Sequence, residues 1–409
     1  MKNYFLSCLA VLMTLTVSAQ PTQKPTDSAA PWYALLTYED GFTDEFVLHL
    51  DSKNGVKTAV IDIPLKNIGV IWRHEPFLQI SATKTVLENN RISCLFPSIR
   101  LDFEGAFNPA GTELTGELYV IGKPYKIIFT KEKKTVGDKN PTYIEPLPGL
   151  SEKDLSPDSE MKRTIEAPNT LFTEELNWME IRDAIRTGKT TIIIPTGGVE
   201  MNGRYLASGK HNFVLRVAAD SIARRLGNAL IAPIVPFVPE GGHSPKTGHM
   251  RYTGTISLTE ATFEKLLKEI ALSYKMHGFK TIIFIGDSGG NQWGMYVAAK
   301  ELREEWKNES INVLFIPEYY ENYRVAQWLK TQGIKEKDSG MHDSFQYTSQ
   351  IMALNPTLVR AQERIKEGEF SINGVNLLPV EKTIEMGKKL AGYQAEVTVE
   401  AIRKALKNK

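Results

Sequence analysis

Cysteine is nearly missing: Cys8 and Cys94 are the two in 409 residues. Cys8 lies in an N-terminal apolar run, so the rest of the chain holds one thiol and has no intramolecular disulfide to staple its fold. Excess charge of either sign is missing too. Forty-nine Lys and Arg stand against 48 Asp and Glu, a net of +1. No basic field exists to attract nucleic acid or an anionic membrane surface, so neither is expected as a partner. Long apolar segments are also lacking. The run at 5–17 is too short to span a bilayer as a stable helix, and no later segment is long and apolar enough to be transmembrane.

What is there begins with a processing signal. Lys2 precedes the apolar run, and Val17-Ser18-Ala19 precede Gln20 and a polar, Pro-rich stretch. This order describes a secretory signal peptide over 1–19, cut after Ala19, and an exported protein, periplasmic or extracellular. The remaining length exceeds one ordinary core, so two domains are expected.

Residues 30–133 read as a small all-β domain, a barrel or sandwich. Short alternating runs at 46–50, 58–63, 91–96, 99–105, 114–118 and 125–129 are separated by turn signals such as Asp51-Ser52-Lys53-Asn54-Gly55. The cadence resembles a lipocalin-like β module found ahead of hydrolase domains. The residues carrying that resemblance are a Trp-containing first strand, Phe103-x-Gly105-x-Phe107, and Leu114-Thr115-Gly116-Glu117-Leu118. His49 and His74 stand isolated and read as structural. Residues 134–168, rich in Lys, Pro, Asp, Glu and Ser, read as a linker or surface wrap.

Residues 169–409 read as an α/β domain with a mainly parallel sheet flanked by helices. The β-branched run 190–194 suits a buried parallel strand. A helical face follows at Leu215, Ala218, Ala219, Ile222 and Leu226, with Gly227 as its stop. A strand region at 230–238 is broken by prolines. Ser257 with Glu260 has capping-box spacing ahead of a helix ending at His277-Gly278. Strands are expected at 281–285 and 313–316. Ligands of such sheets bind at the carboxyl ends of strands, so the informative loops follow residues 194, 238, 285 and 316.

Those loops concentrate the chemistry. The first supplies Glu200 and His211, the second His243 and His249, the third Asp287, and a later segment His342. Imidazole with carboxylate is a ligand set for Zn²⁺ or Mn²⁺, whose bound water becomes a nucleophile near neutral pH. Asp287 also suits a general base or a helix N-cap. His243 reads as a solvated loop residue, and His277 as a residue favourable at a helix C-terminus.

Four motifs in order resemble the creatininase (creatinine amidohydrolase) family. The first is Pro195, Gly197, Glu200, Gly203 and Leu206. The second is His249, Tyr252 and 254–258. The third is His277, Gly278, Phe279, Ile282, Gly289, Gly290 and Asn291. The fourth is His342, Thr348 and Ser349, with an echo at Gly374 and Gly387. Where the family has loop histidines, this chain has Asn202 and Tyr205. His211 replaces the family's loop aspartate, and Ser288 the histidine of its third motif. The chain therefore reads as a divergent branch, holding one metal where the standard family binds two, or none.

The resemblance implies an amidohydrolase acting on a C–N bond of a small amide or cyclic amide, working as a homo-oligomer. The expected metal ligands are Glu200, His211 and Asp287, for a divalent ion such as zinc or manganese. The expected catalytic residues are His249, His342 and Asp287. Asn202, Ser288, Gly289, Gly290 and Asn291 are expected to meet a small-molecule substrate. Two alternatives stand beside this reading. One is a catalytically inactive small-molecule-binding member of the family. The other is a serine hydrolase, because Gly286-Asp287-Ser288-Gly289-Gly290 matches a nucleophile elbow between strand and helix, with His342 and Asp338 or Asp343 completing a triad.

Overall fold

A computed structural model describes residues 30–38, 43–53, 56–63, 77–120, 122–134, 158–337 and 342–407. The signal segment, His74 and residues 135–157 of the expected linker lie outside them. The chain divides into two compact units, Met1–Pro157 and Asp158–Lys409.

The first unit is one antiparallel sheet. Its strands are β1 (Trp32–Thr37), β2 (Thr43–Lys53), β3 (Val56–Ile63), β4 (Phe77–Ser81), β5 (Lys84–Glu88), β6 (Arg91–Phe96), β7 (Leu101–Phe107), β8 (Glu113–Val120) and β9 (Lys123–Thr130). They pair in the order β4-β3-β2-β1-β9-β8-β7-β6-β5. Side chains alternate across the pleat, so β6 reads exposed-buried throughout. The buried set forms one cluster that joins Ala34, Phe46 and Ile61 to Cys94, Phe103 and Phe129. One sheet with one inner cluster is a sheet curled on itself rather than two stacked sheets. Pro97 breaks the run expected at 99–105: residues 97–99 make a 3₁₀ turn, and β7 starts at Leu101.

The second unit has a four-stranded parallel sheet: β10 (Thr191–Thr196), β11 (Ala229–Ile231), β12 (Thr281–Gly286) and β13 (Asn312–Phe315), in the order β11-β10-β12-β13. Both faces are covered. Ile192, Ile194, Ile282 and Phe284 pack with α3 (Glu260–Met276) and α4 (Asn291–Glu305). Ile193, Ile283 and Ile285 pack with α2 (Lys210–Leu226) and the long α8 (Val380–Lys407). That double burial is why these strands read as unbroken apolar runs. Prolines 233 and 236 cut the expected strand at 230–238 down to β11, with one further bridge between Thr196 and Val235.

Two helix ends differ from expectation. α3 is capped by Thr259, which accepts the N–H of Thr262. Ser257 does other work: its Oγ accepts the backbone N–H groups of Glu240 at 2.9 Å and Gly241 at 3.1 Å. α4 is preceded by Gly290 with no side-chain cap, so Asp287 is not an N-cap. In the described part of the expected linker, Arg182 of α1 (Trp178–Arg186) donates to the carbonyls of Ser159 and Met161 at 2.7 and 2.8 Å.

Candidate active site

The carboxyl ends of β10 and β12 lie side by side, with Thr196 in register with Gly286. The loop after β10 therefore runs against Asp287 and Ser288. Close packing needs glycine at two places. A Cβ on Gly197 would fall 1.9 Å from Asn212 Oδ1, and one on Gly290 would fall 2.0 Å from the Pro239 carbonyl. Asn291 fixes the loop from below. Its Nδ2 donates to the carbonyls of Thr196 and Gly197 at 2.9 and 2.8 Å.

Glu200 is the hub. Its Oε1 accepts from His211 Nε2 at 2.9 Å, from Lys210 Nζ at 2.9 Å and from His342 Nδ1 at 3.0 Å. Its Oε2 faces His249 Nε2 at 3.3 Å. Behind His211, Nδ1 donates to Asp287 Oδ2 at 2.7 Å, and the Tyr319 hydroxyl donates to Asp287 Oδ1 at 3.1 Å. The result is a buried chain running Asp287, His211, Glu200. Lys210 is further held by the His342 carbonyl at 2.9 Å and lies 4.8 Å from the centre of the Tyr347 ring. His342 has a left-handed backbone, φ +62°, and its neighbour Asp343 is anchored by Arg364 at 2.9 Å and Thr348 at 3.0 Å.

A pocket of about 880 Å³ opens over this hub, lined among others by Glu240, His243, Ser288, Gly289, Gly290 and Tyr320. Its walls hold two carboxyl groups in opposite states. Burial pushes the Glu200 carboxyl up, but the hydrogen bonds of His211 and His342 and the charges of His211 and Lys210 outweigh it, holding it well below the usual carboxylate range. Burial and the nearby negative charge of Glu200 push Glu240 up to about 8, so it carries its proton at neutral pH. Its Oε1 accepts from Ser288 Oγ at 3.1 Å. Burial works against a charged His211, but the bonds to Asp287 and Glu200 raise its affinity for a proton above the ordinary value. Burial lowers Lys210, with Glu200 opposing, and lowers His249, which keeps that imidazole neutral.

Glu200, His211 and Asp287 do come together, but not around one point. The imidazole stands between the two carboxylates, one on each ring nitrogen, and Asp287 has both oxygens occupied behind it. The three donors that converge are instead Glu200, His249 and His342, with ligand atoms all within 4.8 Å of one another. His249 and His342 were expected as acid–base groups. Their rings meet at 4.4 Å, both against Glu200. Ser288, Gly289 and Gly290 line the pocket. Asn291 is fully buried beneath the loop. Asn202 turns its amide onto the carbonyls of Glu200 at 3.2 Å and Ala207 at 3.0 Å. Neither amide faces the pocket, because its N–H groups already serve loop carbonyls. Ser288 donates to Glu240, and His342, the histidine required for a serine triad, is bonded to Glu200.

Lys210 and Glu240 were not expected in the site, since neither is an imidazole or part of the metal-binding carboxylate pattern of the loops. Lys210 did leave a signal. It is the first residue of α2, where the helix dipole disfavours a cation, so an ammonium there needs a partner elsewhere. Glu240 follows Pro239 in a loop and leaves no comparable cue.

The donor set suits a single divalent ion. One carboxylate and two imidazoles form the three-ligand set of open catalytic zinc sites. The observation that tests the fit is His249. Its Nε2 faces Glu200 Oε2 at 3.3 Å, and its Nδ1 is buried without a hydrogen-bond partner among the described residues. With its proton on Nδ1, a neutral ring turns the Nε2 lone pair toward Glu200 Oε2, the arrangement in which an ion between them would be held by both.

Residues 174–398 match the creatininase family model, described as creatinine amidohydrolase. Among solved structures, the chain is similar to creatinine amidohydrolase (creatininase) at 21% identity, over 58% of this chain and 97% of that one, with a TM-score of 0.42. It is similar to a single-residue creatininase mutant at 21% identity, over 58% and 98%, with a TM-score of 0.44. It is also similar to a manganese form of creatininase at 20% identity, over 59% and 98%, with a TM-score of 0.42. No curated protein matches.

Proposed function

The chain belongs to the creatininase family, and from that premise we propose that it hydrolyses a C–N bond of a small amide or cyclic amide, with one zinc or manganese ion held by Glu200, His249 and His342. The observation that carries this reading is the convergence of those three donors beneath a pocket. A bound divalent ion supplies Lewis acidity toward a carbonyl and makes water easier to deprotonate near neutral pH.

The chain's own residues supply the rest. Lys210 and His211 keep Glu200 ionised and hold its carboxylate in one orientation. Asp287 and Tyr319 keep His211 protonated and aligned. Glu240, on the pocket wall with a carboxyl that burial pushes up, is the group placed to deliver a proton to a departing nitrogen. Gly289 and Gly290 line the pocket without side chains, so a substrate can approach the backbone there.

One observation favours a second reading, a binding protein without catalysis. The charges of Lys210, Glu200, His211 and Asp287 already balance with no ion bound.

The test is elemental analysis beside an amide and cyclic-amide panel assayed for ring opening or amine release. The proposal expects about one zinc or manganese per chain, loss of that metal in Glu200→Ala and His249→Ala, and turnover that falls with it. Metal-free protein that still hydrolyses the panel, or metal that survives both substitutions, rules the proposal out. Copurification of a metabolite with metal-free, inactive protein would favour the binding reading.

A further inference from the structure

The charges at the floor of the pocket alternate along one connected run: Lys210, Glu200, His211, Asp287. Lys210 and Glu200 are each 1% exposed. A buried ammonium is strongly destabilising unless it is paired and hydrogen-bonded, and here it has Glu200 Oε1 at 2.9 Å and the His342 carbonyl at 2.9 Å. The two oxygens of Glu200 are thereby divided. Oε1 is taken up by Lys210 Nζ and His211 Nε2, each at 2.9 Å, and by His342 Nδ1 at 3.0 Å. Oε2 faces His249.

Resting on the ion-binding reading above, we propose that the Lys210 side chain is a fixed occupant of the centre. Its ammonium fills the place beside Glu200 Oε1 that a second metal ion would need, so the site accepts at most one exchangeable divalent ion, on the Oε2 side. His211 seals the arrangement. An imidazolium bonded at both nitrogens bridges Glu200 and Asp287, the two carboxylates that would otherwise share an ion.

The experiment is metal stoichiometry by mass spectrometry after loading with Zn²⁺ or Mn²⁺ and gel filtration. Wild type is expected to hold one ion per chain, and Lys210→Arg, which keeps the charge, the same. The double variant Lys210→Ala with His211→Asp removes the ammonium and places a carboxylate where the imidazolium stood; it is expected to hold two. Two ions in wild type overturn the proposal, as does one ion in a double variant with a wild-type far-UV spectrum. No ion in wild type but two in the double variant would uphold Lys210 as the occupant while rejecting the ion-binding reading. Should the double variant fail to fold, a Co²⁺ titration of wild type decides: visible absorbance saturating at one equivalent supports the proposal, and at two overturns it.

Discussion

Replacing Glu200 with alanine should destabilise the second unit sharply, and the structure says by how much. The carboxylate is the shared acceptor of Lys210, His211 and His342. Removing it leaves an ammonium and an imidazolium buried close together. Breaking a buried pair by deleting one partner costs about 3–5 kcal/mol. The low end applies, about 3 kcal/mol, because His211 keeps Asp287 and Lys210 keeps the His342 carbonyl. For a unit of this size each kcal/mol moves the midpoint by about 2–4 °C, which gives a fall of roughly 6–12 °C. Thermal unfolding followed by tryptophan fluorescence suits the question, since Trp178, Trp293, Trp306 and Trp328 lie in this unit. Runs with excess chelator separate the charge effect from any bound ion. The deficit should also narrow as pH rises, because burial already lowers Lys210, and without Glu200 it discharges more readily. A chelated variant melting within about 2 °C of chelated wild type, well inside the shift expected per kcal/mol, would refute the reasoning.

Other outcomes follow from the same geometry. A Cβ on Gly387 of α8 would fall 2.0 Å from the Ser349 carbonyl of α6 (Phe345–Leu354), so Gly387→Ala should cost about 1–3 kcal/mol by overpacking, visible as a lower melting midpoint. Burial pushes the Cys94 thiol from 9.0 up to about 12; iodoacetamide at pH 8 should spare native protein and label it in denaturant, and this group's contribution to stability should fade only as pH rises between those two values. Glu240 is raised from 4.5 to about 8, so between those values the native protein holds a proton that the unfolded chain has released. Its contribution to stability is full below the lower value and declines through the upper one; Glu240→Gln should remove that slope from a plot of midpoint against pH.

Much of the fold was legible because burial writes directly into local pattern. A strand covered on one face alternates, as Ile92, Cys94 and Phe96 do in β6, and a strand covered on both faces reads Ile192-Ile193-Ile194. Strand and helix ends were less legible, since they depend on contacts from elsewhere. Ser257 has a capping residue's chemistry, yet its hydroxyl serves the Glu240 loop. In the site, strand-end loops pointed to Glu200, His211, His249 and Asp287, and a later segment to His342, and all five lie within one connected network. Which of them share a point in space was not legible, because an imidazole offers nitrogens on two edges. The edge that meets Glu200 is set by how α2 packs on the sheet. Asn202 and Asn291 carried the polar chemistry of ligand contacts, but their amides support the backbone that holds Glu200 in place.

X-ray absorption at the metal edge of zinc-loaded protein tests the central claim most directly, because it counts imidazoles. Ligation by Glu200, His249 and His342 predicts two imidazole scatterers beside oxygen, falling to one in His249→Ala. A spectrum with one imidazole, unchanged by that substitution, would take His249 out of the ligand set and contradict the account.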